Sequence, residues 1–154
     1  MIDEANRIDI KVSKEVTDTL SALADQYSID TMQVIHRAVR LAALIADDLA
    51  ASEQTAGRRL ESCDQHGRRR RQLTVGYDQS PANGRLAWLH VDVDVSVEEL
   101  LHQLMRQYNT TLDQVVIESV NLYKDISDEV DSNRVVRLCD RDGTNGKSLT
   151  RLVP

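Results

Sequence analysis

The chain has 154 residues, a formal net charge of −6, 41% hydrophobic residues and 3% aromatics with no Phe, so Leu, Val, Ile and Ala must build the core of one ordinary domain or two small units. No run of about 18 apolar residues exists and the acidic start MIDEANRIDI lacks a signal-type apolar stretch, so no membrane span and a cytoplasmic protein are expected. Two cysteines, four histidines without ligand-like spacing, and no phosphate-cradling loop or nucleophile elbow lead to the expectation of a non-enzyme with no metal and no cofactor.

From the N-terminus, Ile8, Ile10 and Val12 alternate with Arg7, Asp9 and Lys11, the period-two signature of a strand with one covered face. Val16, Leu20, Leu23 and Tyr27 then recur at helical spacing, with Ser13 as N-cap. After a break at Ser28-Ile29, Asp30 caps a longer helix with an apolar face of Val34, Ile35, Val39, Leu41 and Ile45. Arg59–Asp64 and Arg69–Val75 flank Gln65-His66-Gly67 as a hairpin, and Gly76–Arg85, with its Gly, Pro and Asn, is a linker.

The second half writes this order again. Residues 88–130 match 7–49 at a shift of 81, with about a dozen identities, among them Val12/Val93, Leu20/Leu101, Leu23/Leu104, Tyr27/Tyr108, Val34/Val115 and Ile45/Ile126. Leu89, Val91 and Val93 alternate with Trp88, His90 and Asp92, and a helix carrying Val97, Leu101, Leu104 and Tyr108 follows. Asp94 is its N-cap, with Ser96-x-x-Glu99 as an alternative start. After Asn109-Thr110, Thr111 caps a helix with Val115, Val116, Val120, Leu122 and Ile126 on one face. The phrase Cys-Asp-x-x-Gly at Cys63 and Cys139 matches at a shift of 76, which predicts a second hairpin from Val135–Asp140 and Ser148–Val153. A lone hairpin is marginal in water, so each must pack on the helices or on its duplicate. The expected class is α+β, mainly α. Its parts are repeat one at 1–50, a basic hairpin at 51–76, a linker at 77–87, repeat two at 88–130 and a hairpin at 131–154.

A strand of about six residues, a helix of about four turns, a tight break and a longer helix resemble the ribbon-helix-helix DNA-binding family, the Arc and MetJ type repressors, over 7–49 and 88–130. That family often has Gly in the break, where Ser28 and Asn109 stand here. The resemblance implies that two units pair their strands antiparallel and interlock four helices, because one unit alone leaves its ladder groups unpaired and an apolar face in water. With both copies in one chain, an intrachain pseudo-dimer is expected; association between chains into a higher homo-oligomer is the alternative.

The resemblance also implies that the outward strand residues enter the major groove of double-stranded DNA: Arg7, Asp9 and Lys11 from one copy, Trp88, His90 and Asp92 from the other. Arg7 suits guanine in a bidentate fashion, Lys11 suits it singly, and Asp9 suits cytosine N4. Taken on its own residue type, Trp88 is read as a packing residue at the strand start rather than as a base-stacking platform. The family's phosphate clamp falls at the starts of the second helices, at Thr31 and Thr111, although Asp30 and Asp113 put carboxylates there. Residues 1–50 carry five Lys or Arg against nine Asp or Glu and 88–130 two against nine, while 51–87 carry seven against four and 131–154 five against three. Phosphate contacts are therefore also expected from Arg68, Arg69, Arg70 and Arg71 beside the first hairpin turn. Cys63 and Cys139 are expected to pack as small apolar residues. The expected function is sequence-specific DNA binding, as a transcriptional regulator. The alternative is an adaptor or antitoxin-like module that keeps the fold, has lost DNA binding and grips a protein partner.

Overall fold

A strand with no neighbour leaves its N–H and C=O groups unpaired, so both period-two segments need a partner. In the computed structural model, which describes residues 6–50, 58–73, 86–144 and 146–149, they find each other. Strand β1 (Asn6–Ser13) pairs antiparallel with β4 (Leu86–Val93) as a two-stranded sheet within one chain. Each strand leads directly into a helix: β1 into α1 (Lys14–Tyr27), then α2 (Thr31–Ala50); β4 into α3 (Val95–Tyr108), then α4 (Leu112–Asp131). A second sheet holds β2 (Arg58–Cys63), β3 (Arg71–Gln72), β5 (Val135–Asp140) and β6 (Lys147–Ser148) in the order β3-β2-β5-β6. The architecture is α+β, with four helices and two small antiparallel sheets among the described residues, and no helix of these is long and apolar enough to cross a membrane.

The second ribbon strand begins at Leu86, two residues before the expected start at Trp88, because Leu86 and Ala87 still pair with Ser13 and Val12. Thr74 to Arg85 lie outside the described residues, and with them residues 77–85 of the expected linker and the end of the expected strand Arg69–Val75; the same holds for Thr150 onward, the end of the expected strand Ser148–Val153.

The chain forms two compact units, one of residues 1–40 with 76–122, the other of 41–75 with 123–154, so each takes residues from both copies. In the first unit the repeat-equivalent pairs Val12/Val93, Leu20/Leu101, Leu23/Leu104, Val34/Val115 and Val39/Val120 are all buried. In the second, Leu60, Val136 and Leu138 of the sheet are buried, as are Ile45 of α2 and Ile126 of α4.

Local chemistry explains the boundaries. Asp94 caps α3 by accepting the Val97 N–H at 2.8 Å, so the Ser96 start is not used; the equivalent Ser13 sits at the N-cap of α1 without a side-chain bond. Asp30 and Gln33 form a reciprocal capping box on α2, with Gln33 N–H to Asp30 Oδ1 at 2.7 Å and Asp30 N–H to Gln33 Oε1 at 3.2 Å. Thr111 Oγ1 accepts the Gln114 N–H at 3.3 Å on α4. At the breaks, Ser28 (φ 55°) and Asn109 (φ 49°) take the left-handed conformation, the geometry for which a glycine would serve.

The phrase Cys-Asp-x-x-Gly is the hairpin turn. The N–H groups of Gly67 and Gly143 donate to the carbonyls of Asp64 and Asp140 at 3.1 and 2.8 Å, and both glycines have positive φ, at 76° and 89°. Cys63 and Cys139 are free and buried.

Candidate nucleic-acid interface

Alternation along β1 and β4 sends Ile10, Val12, Val91 and Val93 into the core and leaves the residues between them outside. Arg7, Asp9, Lys11, Trp88, His90 and Asp92 are all exposed, and their alternation with the buried set puts them on one face of the ribbon. The packing reading of Trp88 is overturned, since the residue is 60% exposed.

The register gives that face its symmetry. Asp9 pairs with His90, its own equivalent in the other copy, so a local two-fold axis passes between them. On one side of this axis Arg7 lies opposite Asp92; on the other, Lys11 lies opposite Trp88, with Ser13 opposite Leu86 beyond. The backbone is two-fold related while the side chains are not. One end offers charged donors and acceptors. The other offers a cation beside an exposed indole and Leu86, which is 47% exposed.

These side chains also engage one another. His90 Nδ1 donates to the Asp9 carboxylate, Arg7 Nε lies 3.7 Å from Asp9 Oδ1, and the Lys11 ammonium stands 4.9 Å from the centre of the Trp88 ring. Arg7, Asp9, His90 and Trp88 are each at least half exposed and Lys11 is exposed, so water and salt weaken these contacts and a ligand competes with them at small cost.

Two residues of α2 brace the ribbon and were not anticipated from sequence. His36 Nε2 bonds the Asp92 carbonyl at 3.0 Å, and Arg40 lies 3.4 Å from Asp94. Their repeat counterparts are Ile117 and Asn121, so the internal alignment carries no signal for either.

The expected phosphate contacts fare differently. Arg68, Arg69, Arg70 and Arg71 lie in the other compact unit, around the β2–β3 turn. They are not four equivalent free cations: Arg70 makes a two-pronged contact with Glu61, at 2.8 Å for both Nε and Nη2, and Arg71 pairs with Glu129. Thr31 is exposed at the start of α2, where the Asp30 carboxylate already accepts a helix N–H. The Thr111 hydroxyl is likewise occupied by Gln114, at the edge of a small polar cleft lined by Asn109, Thr110, Thr111 and Gln114.

One further set of contacts holds the hairpins to the helix ends of their own unit. Arg58 grips Asp48 with Nε at 2.9 Å and Nη2 at 3.2 Å, and Arg134 meets Glu129 at 3.1 Å. These are repeat-equivalent ion pairs, and the alignment that matches Asp48 with Glu129 and Arg58 with Arg134 was the signal that could have found them. Comparison with family models, with curated proteins and with solved structures returns no match for this chain.

Proposed function

We propose that the chain is a ribbon-helix-helix pseudo-dimer that binds double-stranded DNA by inserting the β1–β4 ribbon into the major groove, acting as a transcriptional regulator. The observation that carries the reading is the register: repeat-equivalent Asp9 and His90 face each other, so six exposed side chains are displayed about a local two-fold axis on a two-stranded ribbon. A ribbon of this kind fits a B-form major groove about 12 Å wide, and guanidinium, ammonium and carboxylate groups match base-edge acceptors and donors there. The two ends of the face differ, so the reading requires an asymmetric binding site, with the Asp9–His90 axis over its centre.

The test is retention of genomic duplex fragments at low and at physiological salt, followed by sequencing. Arg7→Ala and Lys11→Ala are expected to remove preference for the enriched sequence, each lost base contact costing about 1–3 kcal/mol of discrimination, with the thermal midpoint unchanged because both side chains point away from the core. Unaltered preference in both variants would exclude the ribbon as the reading surface.

One observation favours a second reading, recognition of a protein: Leu86 and Trp88 expose apolar surface together, on a chain with net charge −6 that repels a polyanion overall. Retention of no fragment even at low salt would select it.

A further inference from the structure

Glu61 of β2 is completely buried on the face of the four-stranded sheet opposite to Ser62, the residue that meets Glu129 of α4. Three guanidiniums converge on it. Arg59 reaches Oε1 at 2.8 Å, Arg70 takes both oxygens at 2.8 Å, and Arg137 reaches Oε2 at 3.0 Å. A carboxylate offers about four lone-pair directions, and these contacts use them up. A guanidinium carries five N–H donors, and here Nε and Nη2 of each arginine face Glu61. Among the described residues, the Nη1 group of none of the three meets an acceptor. The three side chains are 26%, 28% and 20% exposed, so each keeps part of its surface open to water.

Charge points the same way. Three guanidiniums share the one Glu61 carboxylate, Asp142 also acts on Arg70, and the neighbouring Cys139 thiol is kept in its neutral form by burial. Like charges held this close, with only about a quarter of each side chain in water, favour an added anion.

We propose that Arg59, Arg70 and Arg137, fixed by Glu61, form a phosphate-binding site on the face of the β3-β2-β5-β6 sheet turned away from the helices. Phosphate suits the cluster better than a carboxylate does, because its anionic oxygens are set about a tetrahedron and accept from donors in several directions, whereas those of a carboxylate lie in one plane. Guanidiniums are favoured partners of phosphate oxygens, and arginines already locked by Glu61 lose little side-chain freedom on binding. The site does not depend on the ribbon reading, and it differs from the Arg68–Arg71 tract: only Arg70 of that tract belongs to it.

The test is an NMR titration of the intact chain that follows the Nε–H resonances of Arg59, Arg70 and Arg137. Orthophosphate and a short DNA duplex are added separately at constant ionic strength, with chloride as the reference. The three resonances are expected to move together and saturably with phosphate groups and not with chloride. Response to orthophosphate assigns a free phosphate as ligand; response to the duplex alone assigns the nucleic-acid backbone; either supports the site. Arg137→Lys keeps the charge beside Glu61 and loses the planar edge, and it is expected to weaken binding about tenfold. If neither ligand moves the three resonances in the wild-type chain, the cluster is only an internal ion network and the proposal fails.

Discussion

A carboxylate removed from water persists only where charge and hydrogen bonds replace its hydration. Glu61 meets that condition: Arg70 first, then Arg137 and Arg59, outweigh the cost of burial and hold its carboxyl down from 4.5 to about 2. A folded-state value below the unfolded one gives a stabilisation that is full above pH about 4.5 and is lost as the pH falls through about 2. The shift corresponds to about 3 kcal/mol. The urea midpoint is therefore expected to fall across this acid window. Glu61→Gln, which leaves three guanidiniums without their anion, is expected to cost about 3–5 kcal/mol at neutral pH and to flatten the acid dependence. An unchanged neutral midpoint would mean that Glu61 is not the anchor of the cluster. Ser119 is the opposite case. It is buried in α4, its hydroxyl has no hydrogen-bond partner among the described residues, and the equivalent position in the other copy is Ala38, also buried. Ser119→Ala is expected to raise the unfolding free energy by about 1 kcal/mol in urea titration, and a loss of that size would contradict the assignment.

At the level of elements, the two copies are equal in their cores and unequal in their caps. Leu23→Ala and Leu104→Ala remove equivalent side chains, each with no exposure, and each is expected to cost about 2–5 kcal/mol by chemical denaturation. Asp94→Ala removes a made cap bond and is expected to cost about 1 kcal/mol, whereas Ser13→Ala, where no such bond exists, is expected to change the midpoint little. Much of this layer was legible in the sequence. Periods of two and of 3.6, the caps at Asp30, Asp94 and Thr111, and the breaks at Ser28 and Asn109 are local properties, set within a few residues of where they act. The early start of β4 at Leu86 was not legible, because Leu86 and Ala87 belong to the strand only through Ser13 and Val12, some 70 residues away. The fates of Arg70 and Arg71 were hidden for the same reason: their partners Glu61 and Glu129 lie in other elements, and four consecutive arginines look alike in sequence.

For the whole molecule, duplication places each sheet about its own local two-fold axis. Asp9 meets His90 in the ribbon, and Glu61 meets Arg137, its equivalent at a shift of 76, in the four-stranded sheet. Both pairs bring a carboxylate to a nitrogen group of the other copy, so repeat-equivalent positions that face each other carry complementary groups. The repeat was legible, but the division into units was not, because the units combine parts of both copies and their boundary falls within α2 and α4. The asymmetry of the ribbon supplies the most direct test of the proposed function. Trp88→Arg, His90→Asp and Asp92→Lys together give the outward residues of β4 the identities of Arg7, Asp9 and Lys11, and so make this face two-fold in sequence as well as in backbone. Selection from a random duplex library by the wild-type chain is expected to return a site without inverted symmetry, and selection by the triple variant an inverted repeat built from the half-site that Arg7, Asp9 and Lys11 read. The same selected sequence for both proteins, or no enrichment by either, would contradict DNA reading by the ribbon.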